Sequence, residues 1–242
     1  MPGYTTQQIR NLALVGHSGA GKTTLFEALL QAGGTIQTAG SVERGTTVSD
    51  FDPMEKARGH SINSTVASID HGGIHVNLID TPGYPDFRGP TLSALAAVET
   101  CAVVVNAANG IEHGTQRLMD YARARRLCRL LVVNRMDVED ADLGLLVEQL
   151  REAFGNECLP INLPAKGRSE VVDCFFRPDG ESDLGSVADA HQRIIDQVVE
   201  INESMMGRYL EEGEAGLSGK ELHDAFEQCL REGHLIPICF VS

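Results

Sequence analysis

Gly16-His17-Ser18-Gly19-Ala20-Gly21-Lys22-Thr23 stands between an apolar run, Leu12 to Val15, and a helical segment, Leu25-Phe26-Glu27-Ala28-Leu29-Leu30. Strand, small-residue loop and helix in that order fix the first unit of the fold as α/β. They also form a phosphate cradle: small residues let the loop wrap so that backbone N–H groups point inward, onto the positive end of the following helix. Lys22 is placed to reach the β- and γ-oxygens of a nucleoside triphosphate, and Thr23, followed by Thr24, to offer a hydroxyl to Mg²⁺. A glycine-rich turn that binds nothing would have no need of lysine and threonine at those places.

Two further segments extend this reading. Asp80-Thr81-Pro82-Gly83 follows the apolar strand Val76 to Ile79, so Asp80 sits at a carboxyl end, where it can hold Mg²⁺ through water. Gly83 can bring its backbone N–H close to a γ-phosphate because it has no side chain, and loss of that bond after hydrolysis would release the loop. Asn134-Arg135-Met136-Asp137 follows the strand Arg129 to Val133 and matches the pattern Asn-Lys-x-Asp except at its second place. A carboxylate at Asp137 accepts from both N1–H and N2–H₂ of guanine, whereas adenine offers no such pair, so GTP is selected over ATP. Asn134 is expected to brace the phosphate loop, and Arg135 to lie over the purine face.

Periodicity predicts strands at Ile9 to Val15, Ser61 to Asp70, Ile74 to Ile79, Ala102 to Asn106, Arg129 to Val133 and Pro237 to Val241. Helices are expected at Lys22 to Ala32, Pro90 to Thr100, Gly114 to Leu127 and Ala141 to Phe154. This alternation is that of a P-loop NTPase: a mostly parallel, doubly wound sheet, with one antiparallel hairpin edge where Gly72-Gly73 turns the chain. From about Leu159 to Gly233 the pattern changes to strand-like pieces at Ile161 to Leu163 and Val171 to Phe176, then a loop and two acidic helices. The expected division is therefore 1–158 for the first part of a nucleotide-binding domain, 159–233 for a small inserted α+β subdomain, and 234–242 for the domain's last strand. An end on a core strand with no helix after it reads as a fragment. Ser218 with Glu221 three residues on is a capping box.

The net charge of −14 is uneven, with fourteen acidic against four basic residues between Asp179 and Glu232. Such a surface repels nucleic-acid phosphates and favours partners with basic faces, which argues against DNA. No apolar run reaches the length of a membrane span and no secretory signal is visible, so a cytoplasmic protein is expected. The six cysteines lack CxxC spacing, which points away from zinc and disulfides. His71 and His75 flank the hairpin bend and share no helical face, so a metal role is not expected of them.

Taken together these segments resemble the GTP-binding domain of translational GTPases, and within them elongation factor G, over essentially the whole chain. The likeness rests on residues 16–24, on Arg44 to Ile62 with Asp-Pro-Met-Glu-Lys-Ala-Arg-Gly-His-Ser-Ile, on Asp-Thr-Pro-Gly-Tyr-Pro-Asp-Phe at 80–87, and on Asn-Arg-Met-Asp. Leu159 to Pro164 followed by Val171-Val172-Asp173 resembles the start of the subdomain that separates elongation factor G from elongation factor Tu. The resemblance implies a Mg²⁺-dependent GTPase cycling between GTP and GDP, and Ser242 as the serine whose backbone N–H meets guanine O6. It implies the ribosome as partner, through further domains, ribosomal RNA and a stalk protein docking on the acidic insertion, and a monomer for the isolated domain.

Three positions depart from the family pattern. Tyr84 stands where a histidine usually orients the attacking water, and a phenol cannot act as a cation near neutral pH, so slow intrinsic hydrolysis is expected. Gly19 replaces a frequent aspartate. Ser61 replaces a threonine whose hydroxyl and carbonyl serve Mg²⁺ and the water, so the segment of about Thr35 to Gly59 is expected to be mobile without GTP. Lys22, Gly83 and Tyr84 are thus the expected catalytic set, and Thr23, Ser61 and Asp80 the metal set. A GTP-dependent binding module with little turnover is the alternative; a phosphotransferase would need an acceptor pocket with its own polar cluster, and the sequence offers none.

Overall fold

A computed structural model describes residues 3–242, so Met1 and Pro2 of the expected first domain lie outside it. The chain divides into two compact units, one running to Asn106 and including Glu112–Leu127, the other made of Ala107–Ile111 and Cys128–Ser242. The first unit contains β1 (Ile9–Gly16), α1 (Lys22–Ala32), α2 (Pro53–Arg58), β2 (Thr65–His71), β3 (Ile74–Asp80), α3 (Arg88–Ala96), β4 (Thr100–Asn106) and α4 (His113–Ala124). Its strands lie in the order β2-β3-β1-β4. β1 runs parallel to both β3 and β4, while β2 returns antiparallel on β3 through Gly72 and Gly73, both at positive φ. Central parallel strands are covered on both faces, so β1 from Leu12 to Val15 and β4 from Cys101 to Val105 read as unbroken apolar runs. Ala13, Leu14 and Val15 accordingly pack out of solvent with Val103, Val104 and Val105.

Helix α1 contributes Phe26 and Leu30 to this core, and α4 contributes Met119 and Ala122. α2 is absent from the sequence-based expectation. It arises inside the segment expected to be a loop because Asp52 accepts from the Met54 N–H at 2.7 Å, Pro53 occupies its first turn, and Gly59 closes it in the left-handed region. β2 begins at Thr65 rather than Ser61, so Ser61 belongs to the loop that approaches the phosphate site.

In the second unit, β5 (Cys128–Asn134), α5 (Leu143–Phe154) and β6 (Cys158–Pro160) are followed by the hairpin β7 (Asn162–Ala165) and β8 (Glu170–Asp173). Then come α6 (Val187–Val199), α7 (Glu203–Glu212), α8 (Gly219–Glu232) and β9 (Ile236–Val241). β5, β9 and β6 pair in parallel in that order, and β7 pairs antiparallel with β8. The expected two acidic helices are three. Asn202 accepts from the Met205 N–H at 3.1 Å and starts α7 separately from α6. Ser218 and Glu221 form the predicted capping box, on α8. No described helix is long and apolar enough to cross a membrane.

Candidate nucleotide site

β1 delivers the chain into the loop at Gly16, whose φ of 146° and close fit suit glycine alone: a Cβ there would lie 2.3 Å from the Val104 carbonyl oxygen. Gly21, at φ 91°, then turns the backbone into α1, leaving the helix's first N–H groups at the loop's centre. Lys22 is only 6% exposed and folds back over the loop, its Nζ donating to the Gly16 carbonyl at 3.1 Å and the His17 carbonyl at 2.8 Å. Burial lowers its pKa to about 8, against the pull of Asp80 and Asp50. His17 is buried with Nε2 accepting from the Asn106 N–H at 3.4 Å. Its proton therefore sits on Nδ1, which faces the Ser18 carbonyl at 2.7 Å and Glu112 at 3.1 Å. Ala20 is buried, whereas Gly19 and Thr24 face solvent.

Asp80, at the carboxyl end of β3, is 1% exposed and accepts from the Thr23 hydroxyl at 2.7 Å. The Ser61 hydroxyl lies 3.3 Å from that of Thr23. The three expected metal residues thus meet. Burial pushes the Asp80 carboxyl up to about 6, and its Oδ1 has no hydrogen-bond partner. Both carboxylate oxygens of Asp50 are likewise buried without a partner, and burial raises that carboxyl too. Orphaned carboxylate oxygens beside two hydroxyls form an all-oxygen donor set, the chemistry that suits a hard divalent cation.

Gly83 lies directly against the loop. A Cβ on it would fall 2.4 Å from Lys22 Nζ and 2.7 Å from the carbonyl carbon and oxygen of His17. Tyr84 is 42% exposed, its ring 4.4 Å from that of His60, and it helps line a cavity of about 420 Å³ with His17, Arg88 and Tyr121.

The base-reading residues gather within the second unit. Asn134 and Val241 are register partners at the carboxyl ends of β5 and β9, and the Met136 N–H donates to the Val241 carbonyl at 3.2 Å, so Ser242 follows beside the Asn134–Asp137 turn. Arg135 adopts a left-handed φ of 61°, while the Asn134 side-chain oxygen accepts from its N–H at 2.9 Å. Met136 anchors the turn in the core, leaving Arg135 and Asp137 exposed.

The family model for the elongation factor Tu GTP binding domain matches residues 7–242. The chain belongs to this family. Among curated relatives of this GTP-binding domain, an elongation factor G-like protein of Mycobacterium tuberculosis is 36% identical, the match covering 95% of this chain and 34% of that protein. A second elongation factor G-like protein, of Thermotoga maritima, is 33% identical over 96% of this chain and 35% of its own. The chain spans about a third of the length of these relatives. A crystal structure of a Thermus thermophilus protein superimposes with a TM-score of 0.85 at 34% identity, over 96% of this chain and 37% of that one. The expected translational GTPase resemblance and α/β fold class both hold for this GTP-binding domain.

Sequence reasoning missed four acidic or aromatic residues of the segment before β2 and its braces. Glu27, fully buried on α1, accepts from the N–H groups of Gly40 and Val48 at 2.8 and 2.6 Å. Glu55 on α2 accepts from those of Ile62 and Asn63 at 2.9 and 3.0 Å, which sets the path of Ser61 just before them. Asp50 and His60 complete the group. The signal available was the spacing of Asp52, Pro53 and Glu55, a helix start inside an otherwise unpatterned stretch.

Proposed function

We propose that this chain is the GTP-binding, GTP-hydrolysing switch domain of an elongation factor G-like translation factor that acts on the ribosome in the cytoplasm. The observation that carries the reading is Gly83 packed against Lys22 and the His17 carbonyl, because a phosphate entering that cradle must meet the Gly83 backbone. Residues 16–24 hold the phosphates of GTP or GDP, with Lys22 on the β- and γ-oxygens. Thr23, Asp80 and Ser61 hold Mg²⁺, which when bound neutralises charge developing on the phosphates. Asn134, Arg135, Asp137 and Ser242 select guanine, with Asp137 accepting from N1–H and N2–H₂. The layout that goes with this function is a nucleotide domain over 1–158 and 234–242, interrupted by the subdomain 159–233.

Tyr84 supports a second reading, a GTP-dependent ribosome-binding module with little hydrolysis. Its exposed phenol can donate a hydrogen bond to water or phosphate but brings no positive charge to the transition state. Positioning of the water and charge neutralisation around the γ-phosphate still supply much of the rate, so the site is not inert in either reading.

Single-turnover GTP hydrolysis, with and without ribosomes, separates the two, read on this chain and on any longer polypeptide that carries it, beside Tyr84→His and with ATP as control. Ribosome-stimulated hydrolysis by the unaltered protein supports the cycling factor. Bound, unhydrolysed GTP that turns over only in Y84H supports the module, and equal use of ATP overturns both.

A further inference from the structure

The turn joining β7 to β8 has an unusual backbone: Lys166, Gly167 and Arg168 all lie at positive φ, 52°, 66° and 66°. Two of the three carry side chains, so something must hold the turn there. Part of the answer is local. The Arg168 N–H donates to Asp183 Oδ2 at 2.8 Å, the Asp183 N–H donates to the Pro164 carbonyl at 2.7 Å, and the Ser169 hydroxyl closes on the Lys166 carbonyl at 2.8 Å.

The other part is what this backbone aims. Arg168 Nη1 donates to the carbonyls of Val138 and Ala141, each at 2.9 Å, across about thirty residues of sequence. Those carbonyls belong to the stretch that follows Asn134-Arg135-Met136-Asp137. The backbone bonds of that stretch are longer: Val138 N–H to the Arg135 carbonyl at 3.3 Å and Ala141 N–H to the Val138 carbonyl at 3.2 Å. Arg135 itself sits in the left-handed region. Asp137, exposed, therefore hangs between a strained residue and a loosely closed turn whose firmest tie is a guanidinium from the hairpin.

We infer that Arg168 is a positioning residue for guanine recognition: by gripping the Val138 and Ala141 carbonyls it sets the direction of the Asp137 carboxylate. The inference rests on the guanine reading of Asn134 to Asp137 given above. It makes the β7–β8 hairpin part of the base-reading apparatus, not only an appendage beside it. Asp137 discriminates by accepting two hydrogen bonds at once, a geometry that a loop free to tilt does not hold.

The test compares equilibrium binding of GDP and IDP, which differ only in the 2-amino group that Asp137 would accept, by the full chain. Arg168→Met keeps an unbranched stem and removes both bonds. Arg168→Lys keeps a cationic donor on a flexible stem, one bond shorter than Nη1, and can close on the same two carbonyls with a small shift of that stem. The preference for GDP over IDP is expected to fall about tenfold in R168M, the scale of losing charge-assisted hydrogen bonds, and to stay within about threefold of the original in R168K. A merely structural role would lower the melting temperature and leave the ratio alone. An unchanged GDP/IDP ratio in R168M overturns the inference. Should R168M not fold, Arg168→Gln, whose amide nitrogen stops two bonds short of Nη1 and so reaches neither carbonyl, is read by the same ratio with the same consequence. An unaltered chain that binds GDP and IDP equally would overturn the guanine reading itself, and this inference with it.

Discussion

Gly83 is defined by what cannot be there. Its φ does not demand glycine, but an added Cβ meets the His17 carbonyl at 2.7 Å, and that backbone cannot swing away as the tip of Lys22 could. Gly83→Ala is expected to weaken GTP binding about tenfold while leaving GDP within about threefold, as read by nucleotide titration, because the γ-phosphate is what the residue meets. Equal losses for both nucleotides would mean that Gly83 is only a packing residue. The two buried ionisable groups beside it make a second prediction. Asp80 keeps its proton to about pH 6 in the folded chain against 3.8 unfolded, so the ligand-free protein loses stability as pH rises between those values. Lys22 gives up its proton near pH 8 when folded against 10.5 unfolded, so stability is regained as pH rises from 8 towards 10.5. Ligand-free melts should therefore show both costs in full between about pH 6 and 8, with the acid limb flattened in Asp80→Asn. A single melting temperature across pH 5, 7 and 9 would contradict it.

At the scale of elements, starts and stops were legible wherever a side chain caps a helix. Ser218 accepts from the Glu221 N–H at 3.2 Å while Glu221 receives the Ser218 N–H at 2.9 Å, the reciprocal pair that the sequence announces. Ser218→Ala is expected to cost about 1 kcal/mol in urea unfolding. Arg208 first, and Ser218 second, hold the Glu221 carboxyl down to about 2. That contribution is present above the ordinary value of 4.5 and is lost as pH falls towards 2, so the deficit of S218A should shrink in acid. α2 escaped notice because a two-turn helix has too few residues to show a period; its cap, proline and closing glycine make it. The split of α6 from α7 escaped for a different reason: the apolar spacing runs on, and only the bond from Met205 to Asn202 restarts the helix. The strand expected from Ser61 starts only at Thr65: Ile62 keeps step with Val66 at the even spacing of a strand, but Glu55 takes the N–H groups of Ile62 and Asn63 away from a ladder.

At the scale of the molecule, the acidic excess between Asp179 and Glu232 is shared between α6, α7 and α8, with nine acidic against four basic residues, and the segments around them, with five acidic and none basic. Glu211 and Glu212 end α7 exposed, next to Leu210 at 76% exposure, an apolar residue edged with negative charge. On the proposed reading, in which this face docks on a basic partner at the ribosome, reversing both charges is expected to lower ribosome-stimulated turnover severalfold, and more at low salt, while leaving GDP affinity unchanged. Unchanged turnover would remove the insertion from the list of docking surfaces. Two of the six cysteines are held out of thiolate chemistry: burial pushes the Cys158 and Cys239 thiols up to about 12, which keeps them protonated.

The sequence by itself determined the strand-loop-helix order, the mostly parallel sheet and the identity of Lys22, Thr23, Asp80, Gly83 and Asp137 as the residues to watch. Glycine, proline, caps and apolar runs act through the local backbone, and local physics can be read in order along a chain. Only the tertiary structure decided that Glu27 and Glu55 fix the path of residues 40–63, that Asp50 leaves its oxygens orphaned, that Tyr84 lies on His60, and that Arg168 grips the turn after Asp137. A buried carboxylate or a reaching guanidinium takes whatever partner packing brings to it, and that partner carries no mark in the neighbouring sequence.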